Sequence, residues 1–268
     1  MKFPKPLLTR EHGSWAVLFV PMIVGIAYAG KATFNNILLA FSVLGVFLSY
    51  IPFHTILREL NGIPQEKEKI AASYLWGAVY MLAGLVFACP LVLQGYVHLF
   101  TAAALGALAF FGNYILSHKG RKSIAGDLTA VAGLTLSAPA AYYISTGSFD
   151  LNGAVLWILN FLFFGCSVFY VHMKIGAASR SAEHFSAKEK MKLGKMNILY
   201  HVFVIAAVIL LSLFRWTAST VVVAFVPMIV HAVYGTIRLN ERVRFKKLGF
   251  LLLAQSIVFG VLLMFTWS

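Results

Sequence analysis

Acid is scarce in this chain. Nine Asp and Glu residues stand against 22 Lys and Arg, and only Asp127 and Asp150 are aspartate. Hard divalent cations such as magnesium want carboxylate oxygens, so an acid-built metal cage is not expected and no metal ligands are assigned. Cysteine is scarcer still. Cys89 and Cys166 are the two present, and no spacing pairs them into a disulfide framework or a zinc motif. Charge of either sign is rare too, at 12% of residues, against about 25% in soluble domains. With 60% hydrophobic residues, the chain cannot hide its apolar surface in a water-soluble core of its size.

What fills the chain instead is apolar runs. Nine candidate transmembrane helices are expected at 13–30, 34–57, 70–91, 96–116, 124–145, 153–174, 195–213, 217–237 and 246–266. Each needs about 20 apolar residues, which leaves short loops and a single integral membrane domain over residues 1–268. The N-terminal stretch has a signal peptide's basic start and an Ala27-Tyr28-Ala29 site, but eight further apolar runs follow and it reads as an uncleaved first span. Threaded this way, all but Lys31 and Arg215 of the 22 cationic residues fall on one side. The positive-inside rule then places the N-terminus in the cytoplasm and the C-terminus outside. The net charge of +13 is thereby a topology signal, drawn also to anionic headgroups, and no nucleic-acid partner is expected.

The two longest loops, after spans two and six, lie on the basic side. Pro64 suits the opening turn of a helix, and Ser186 with Glu189 forms a capping box, so a short helix is expected over each loop. The fifth span is rich in small residues, including Gly126, Ala132, Gly133, Ser137, Ala138 and Ala141. These favour close helix approach in lipid and predict a tightly packed central helix, kinked at Pro139.

Ionisable groups at membrane depth are costly and mark candidate sites. Arg10, Glu11 and His12 enter span one. Tyr50, His54 and Arg58, four apart at the end of span two, share one helix face and suit an anion through a forked guanidinium and directed hydrogen bonds. Pro52 is expected to loosen that helix end. Tyr170, His172 and Lys174 end span six, with His172 and Lys174 two apart and so on different faces. His118-Lys119-Gly120-Arg121-Lys122 offers cations beside a glycine, an arrangement that suits phosphate. His201 and His231, inside spans seven and eight, are each expected to hydrogen-bond a neighbouring helix.

Two resemblances follow from these residues. Arg10-Glu11-His12-Gly13-Ser14-Trp15 resembles the opening signature of the YwiC-like family of bacterial membrane proteins, which implies a multi-pass protein of the bacterial plasma membrane but no particular activity. The span count and loop positions are similar to the UbiA prenyltransferase superfamily. That resemblance implies an all-α UbiA-like bundle, and would make Lys119 and Arg121 the diphosphate-contacting positions. The superfamily's two Asp-rich magnesium motifs would fall at Tyr50, His54 and Arg58 and near Tyr170, His172 and Lys174, where no acid stands. The expected function is therefore binding of an anionic lipidic or isoprenoid ligand at a basic cytoplasmic mouth without magnesium. Membrane lipid or another anionic amphiphile is the expected partner and no cofactor is assigned. Any catalysis would be a divergent, magnesium-independent prenyl or lipid transfer. The alternatives are a non-enzymatic transporter or assembly factor, and a haem ligated by His54 and His172. The topology has a direct test: a reporter fused after Ser268 reads as periplasmic in intact cells, and a cytoplasmic reading overturns the nine-span threading.

Overall fold

The computed structural model describes residues 4–9, 12–117, 123–180, 185–239 and 244–267. These residues are helical, in the order α1 (His12–Tyr28), α2 (Phe34–Leu60), α3 (Lys67–Leu93), α4 (Leu99–Leu116), α5 (Ile124–Thr135), α6 (Ser137–Thr146), α7 (Leu151–Ala178), α8 (Ala187–Leu213), α9 (Val222–Ile237) and α10 (Phe245–Thr266), with a 3-10 turn at Ser219–Val221 before α9. Eight segments among them are long and apolar enough to cross a bilayer, α5 and α6 together forming one, and α1 is a shorter apolar helix. The protein is a multi-pass helical membrane protein.

The spans agree with the apolar runs, and the departures have simple causes. The expected loop helices do not stand apart from the spans. Residues 61–66 are turn and coil, and α3 begins at Lys67. The Ser186–Glu189 box forms, with the Ser186 amide donating to Glu189 Oε2 at 2.9 Å and the Glu189 amide to Ser186 Oγ at 3.3 Å. It opens α8 itself, which runs unbroken into the membrane. No proline interrupts residues 187–213, so the lysine-rich turns and the apolar span form one helix.

The most enclosed span is α7, not the fifth, formed by α5 and α6 together. Leu156, Leu159, Phe163 and Cys166 are almost fully buried, and the Phe163 ring stacks on Phe259 at 3.8 Å and meets Phe225 edge-on. α7 packs against α5, α6, α8 and α9, while α1 bridges α6 and α10. The small residues of the fifth span serve one close contact. Ser137 through Ser145 are almost wholly buried in α6, whereas α5 is only partly so. A Cβ at Gly25 of α1 would collide with the carbonyl of Ala138, which is how the two backbones approach. α2 and α3 make the same kind of contact through Gly45 and Gly84.

The break between α5 and α6 falls at Leu136, three residues before Pro139. Proline has no N–H to continue the ladder. The Leu136 amide turns to the Gly133 carbonyl at 3.3 Å, which leaves the Ala132 carbonyl without its usual partner. Trp157 of α7 supplies one: its indole N–H donates to Ala132 O at 3.0 Å. Ser137 donates in turn to the Leu18 carbonyl of α1 at 2.7 Å. Thr135 Oγ1 also donates to the Ala132 carbonyl, at 3.2 Å, so Trp157→Phe is expected to lower stability by about 0.5–1.5 kcal/mol, the net worth of one hydrogen bond, read as a fall in the unfolding midpoint of the purified protein in detergent.

Candidate functional site

Tyr50, His54 and Arg58 do share one face of α2. Tyr50 and His54 stack at 5.8 Å, and both turn toward α4. The Tyr50 hydroxyl donates to Asn113 Oδ1 at 2.8 Å and its ring meets Phe110 edge-on. His54 meets Tyr114 edge-on at 5.5 Å. The helix end is not loosened by Pro52: α2 stays helical to Leu60. Its last turn is held from outside, because the Leu57 carbonyl accepts from Tyr114 Oη at 3.1 Å and from Asn61 Nδ2 at 2.7 Å. Arg58 and Lys69 lie within electrostatic reach of His54.

The line of polar groups continues through the bundle. Asn113 Nδ2 donates to the Gly126 carbonyl at 2.8 Å, in the first turn of α5. The next residue, Asp127, accepts a 2.8 Å hydrogen bond from His172 Nε2 on α7. Side chains from α2, α4, α5 and α7 thus meet at one end of the bundle. Asp127 is 41% exposed and His172 17%, so the pair is partly open. A carboxylate suits this place because the start of a helix carries partial positive charge. Asp127 and Asn113 were not singled out from the sequence. Asp127 lies outside the motif slots, yet an acid in the first turn of a span, in a chain with two aspartates, was the available signal. Asn113 gave none, because amides in apolar helices reveal their partners only in three dimensions.

The residues closing span six divide between two places. His172 faces α5, whereas Lys174 is buried and donates to the Gly235 carbonyl of α9 at 2.9 Å. Lys190 donates to the Ile237 carbonyl at 3.0 Å. The two lysines serve the last carbonyls of α9, which have no helical partners and carry partial negative charge. Tyr170 lies under the Lys174 ammonium at 5.5 Å and packs on His231 at 4.5 Å. His231 Nδ1 bonds Gln255 Oε1 of α10 at 2.9 Å, while His201 bonds only its own helix, through Nδ1 to the Asn197 carbonyl at 2.7 Å.

Arg10, Glu11, the His12 side chain, Lys119 and Arg121 lie outside the described residues. Their flanks do not: Trp15 meets Phe47 of α2 edge-on at 5.2 Å, and the Trp76 indole donates to the Pro4 carbonyl at 3.0 Å, which ties the N-terminal segment to α3. Among the described residues no three His, Cys, Asp or Glu side chains are grouped to hold a metal ion. The arrangement offers instead a histidine oriented by a carboxylate, a tyrosine oriented by an amide, and cations at the neighbouring helix ends. A double-mutant cycle of Asp127→Ala and His172→Ala, read by denaturant unfolding in detergent, is expected to give a coupling of about 0.5–3 kcal/mol; additive losses would show that the pair carries no interaction.

Residues 8–142 match the family of YwiC-like proteins. The chain is 24% identical to an uncharacterised protein of Haemophilus influenzae over 267 residues, which cover 97% of this chain and 98% of that one. It is 23% identical to the uncharacterised protein YwiC of Bacillus subtilis over 167 residues, which cover 62% and 66%. No solved structure matches it. With half of its length matched, and one relative aligned nearly end to end, the chain belongs to the YwiC-like family.

Proposed function

We propose that the protein binds an anionic amphiphile, such as an isoprenoid phosphate or an anionic phospholipid, at the basic end of its bundle and without a magnesium ion. The observation that carries this reading is the line of Tyr50, Asn113, Gly126, Asp127 and His172 across four helices, beside Arg58 and Lys69. Polar groups gathered at one end of an otherwise apolar bundle are costly unless used. The His172 hydrogen bond occupies one carboxylate oxygen of Asp127. The nine-pass plan expected from the sequence supports a UbiA-like architecture, although the connection after the second span, residues 61–66, is shortened because α3 begins at Lys67. The motif slots at Tyr50, His54 and Arg58 and at Tyr170, His172 and Lys174 hold cations and neutral groups, so the charge that a metal would supply falls to Arg58, Lys119 and Arg121. Lys174 contributes less, being committed to α9. The whole chain acts as one domain, with its basic end at the cytoplasmic leaflet of the bacterial plasma membrane and its C-terminus outside. If a bond is broken there, the reaction is a magnesium-independent prenyl or lipid transfer.

A second reading, a carrier coupled to protons, draws on the Asp127–His172 and His231–Gln255 pairs, which place titratable side chains within the spans. A haem held by His54 and His172 is less favoured, because His54 packs between Tyr50 and Tyr114. Native mass spectrometry of the purified protein tests the main reading. A specific anionic lipid is expected to be retained, and its bound fraction is expected to fall about fivefold or more in Arg58→Ala, as the loss of a charge-assisted hydrogen bond implies. No anionic lipid in the wild type, or equal retention by the variant, overturns it.

A further inference from the structure

A second set of polar groups, apart from the basic-end site, lies between α8 and α9. Asn197 and His201 stand one turn apart on α8, are 1% and 4% exposed, and line a crevice together with Ile198, Val202, Ile229 and Val233. Their hydrogen bonds fix what each atom can still do. The Thr236 hydroxyl donates to the Ala232 carbonyl at 2.8 Å, so toward Asn197 its oxygen can only accept. That sets Asn197 Nδ2 against Thr236 at 3.3 Å and leaves Oδ1 as an acceptor without a partner. His201 Nδ1 faces the Asn197 carbonyl at 2.7 Å. A carbonyl cannot donate, so Nδ1 carries the ring proton, and Nε2 of the neutral imidazole is a second acceptor without a partner. Each such atom is costly to bury without a partner.

We propose that this crevice binds a neutral amphiphile with a hydroxyl head, its O–H donating to His201 Nε2 or Asn197 Oδ1 and its chain lying along the aliphatic walls. The inventory of free atoms selects this class. Two free acceptors against a single spare N–H, the second one of Asn197 Nδ2, disfavour a phosphate or carboxylate and suit a hydroxyl, which both donates and accepts. The Lys174 ammonium, on the carbonyl of Gly235 next to Thr236, disfavours a cationic head. The open wall of the crevice is apolar, so the head must reach the acceptors by displacing lining side chains, which a single hydroxyl does at less cost than a bulky headgroup. Val202 and Val233 are half-exposed, so the mouth of the crevice faces the lipid. The site does not depend on the basic-end reading, and either can fail alone.

The test uses the full chain in phosphatidylcholine nanodiscs, a lipid without a free hydroxyl. The probe is a diazirine-bearing long-chain primary alcohol, and its methyl ether is the matched control. Photolabelling of residues 198–205 and 229–233 by the alcohol is expected to exceed labelling by the ether by about tenfold, the factor that a hydrogen bond to an otherwise orphaned acceptor supplies. Asn197→Leu and His201→Phe are expected to erase that preference. The wild-type comparison stands even if a variant fails to fold. Equal labelling by alcohol and ether, or no labelling of these segments, overturns the proposal and leaves a buried water as the partner of the two acceptors.

Discussion

Hydrocarbon offers no hydrogen bonds, so a backbone group released from a membrane helix must be met by another part of the protein. Much of this structure can be read from that constraint. The turn at Leu136 releases the Ala132 carbonyl, and Trp157 reaches across from α7 to take it. The frayed end of α9 presents its last carbonyls, and Lys174 and Lys190 take two of them. The first turn of α5 is tied to α4 through Asn113 on the Gly126 carbonyl. In each case a polar side chain joins two helices, and the bundle gains a fixed contact where apolar packing alone would allow sliding. This is also why the atoms without partners among the described residues, on Asn160, Asn197 and His201, stand out: they depart from the rule, and the last two lie together.

The same constraint gives α7 two working faces. Successive residues on a helix point about 100° apart, so His172 and Lys174 diverge. One is drawn to the carboxylate of Asp127 on α5, the other to the carbonyls of α9. A short stretch of sequence that looks like one polar cluster therefore serves two places, a partly open pair near the basic end and a buried clasp on the far side. Between them the helix is filled by large apolar side chains such as Leu159, Phe163 and Cys166, and this is what makes α7, rather than the small-residue fifth span, the axis of the bundle. Small residues bring backbones together; large ones fill the space at the centre.

Much of the fold was legible because the bilayer simplifies the problem. Hydropathy and the placement of cations were enough to draw the spans, and the observed helices differ mainly at their ends, where α8 begins eight residues before the expected 195. The Tyr50–His54 stripe was legible too, because a four-residue spacing fixes a shared face whatever surrounds it. The Ser186–Glu189 box was legible for the same local reason. What surrounds these features was not. Nothing local in the chain pairs Asp127 with His172, 45 residues away, or Tyr50 with Asn113, 63 away, because such pairs depend on which helices become neighbours and how each is rotated.

The sequence by itself determined that this is a many-times-crossing membrane protein with few acids and an excess of cations. Those properties follow from composition and from periodicities shorter than two helical turns. Only the tertiary structure decided which polar groups meet, which lysine is spent on a helix end, and where hydrogen-bonding atoms remain without partners. Helix packing sets these through close approaches such as Gly25 on Ala138 and through the stacking of Phe163 on Phe259. Contacts of that kind join residues far apart in the chain, and no local pattern encodes them.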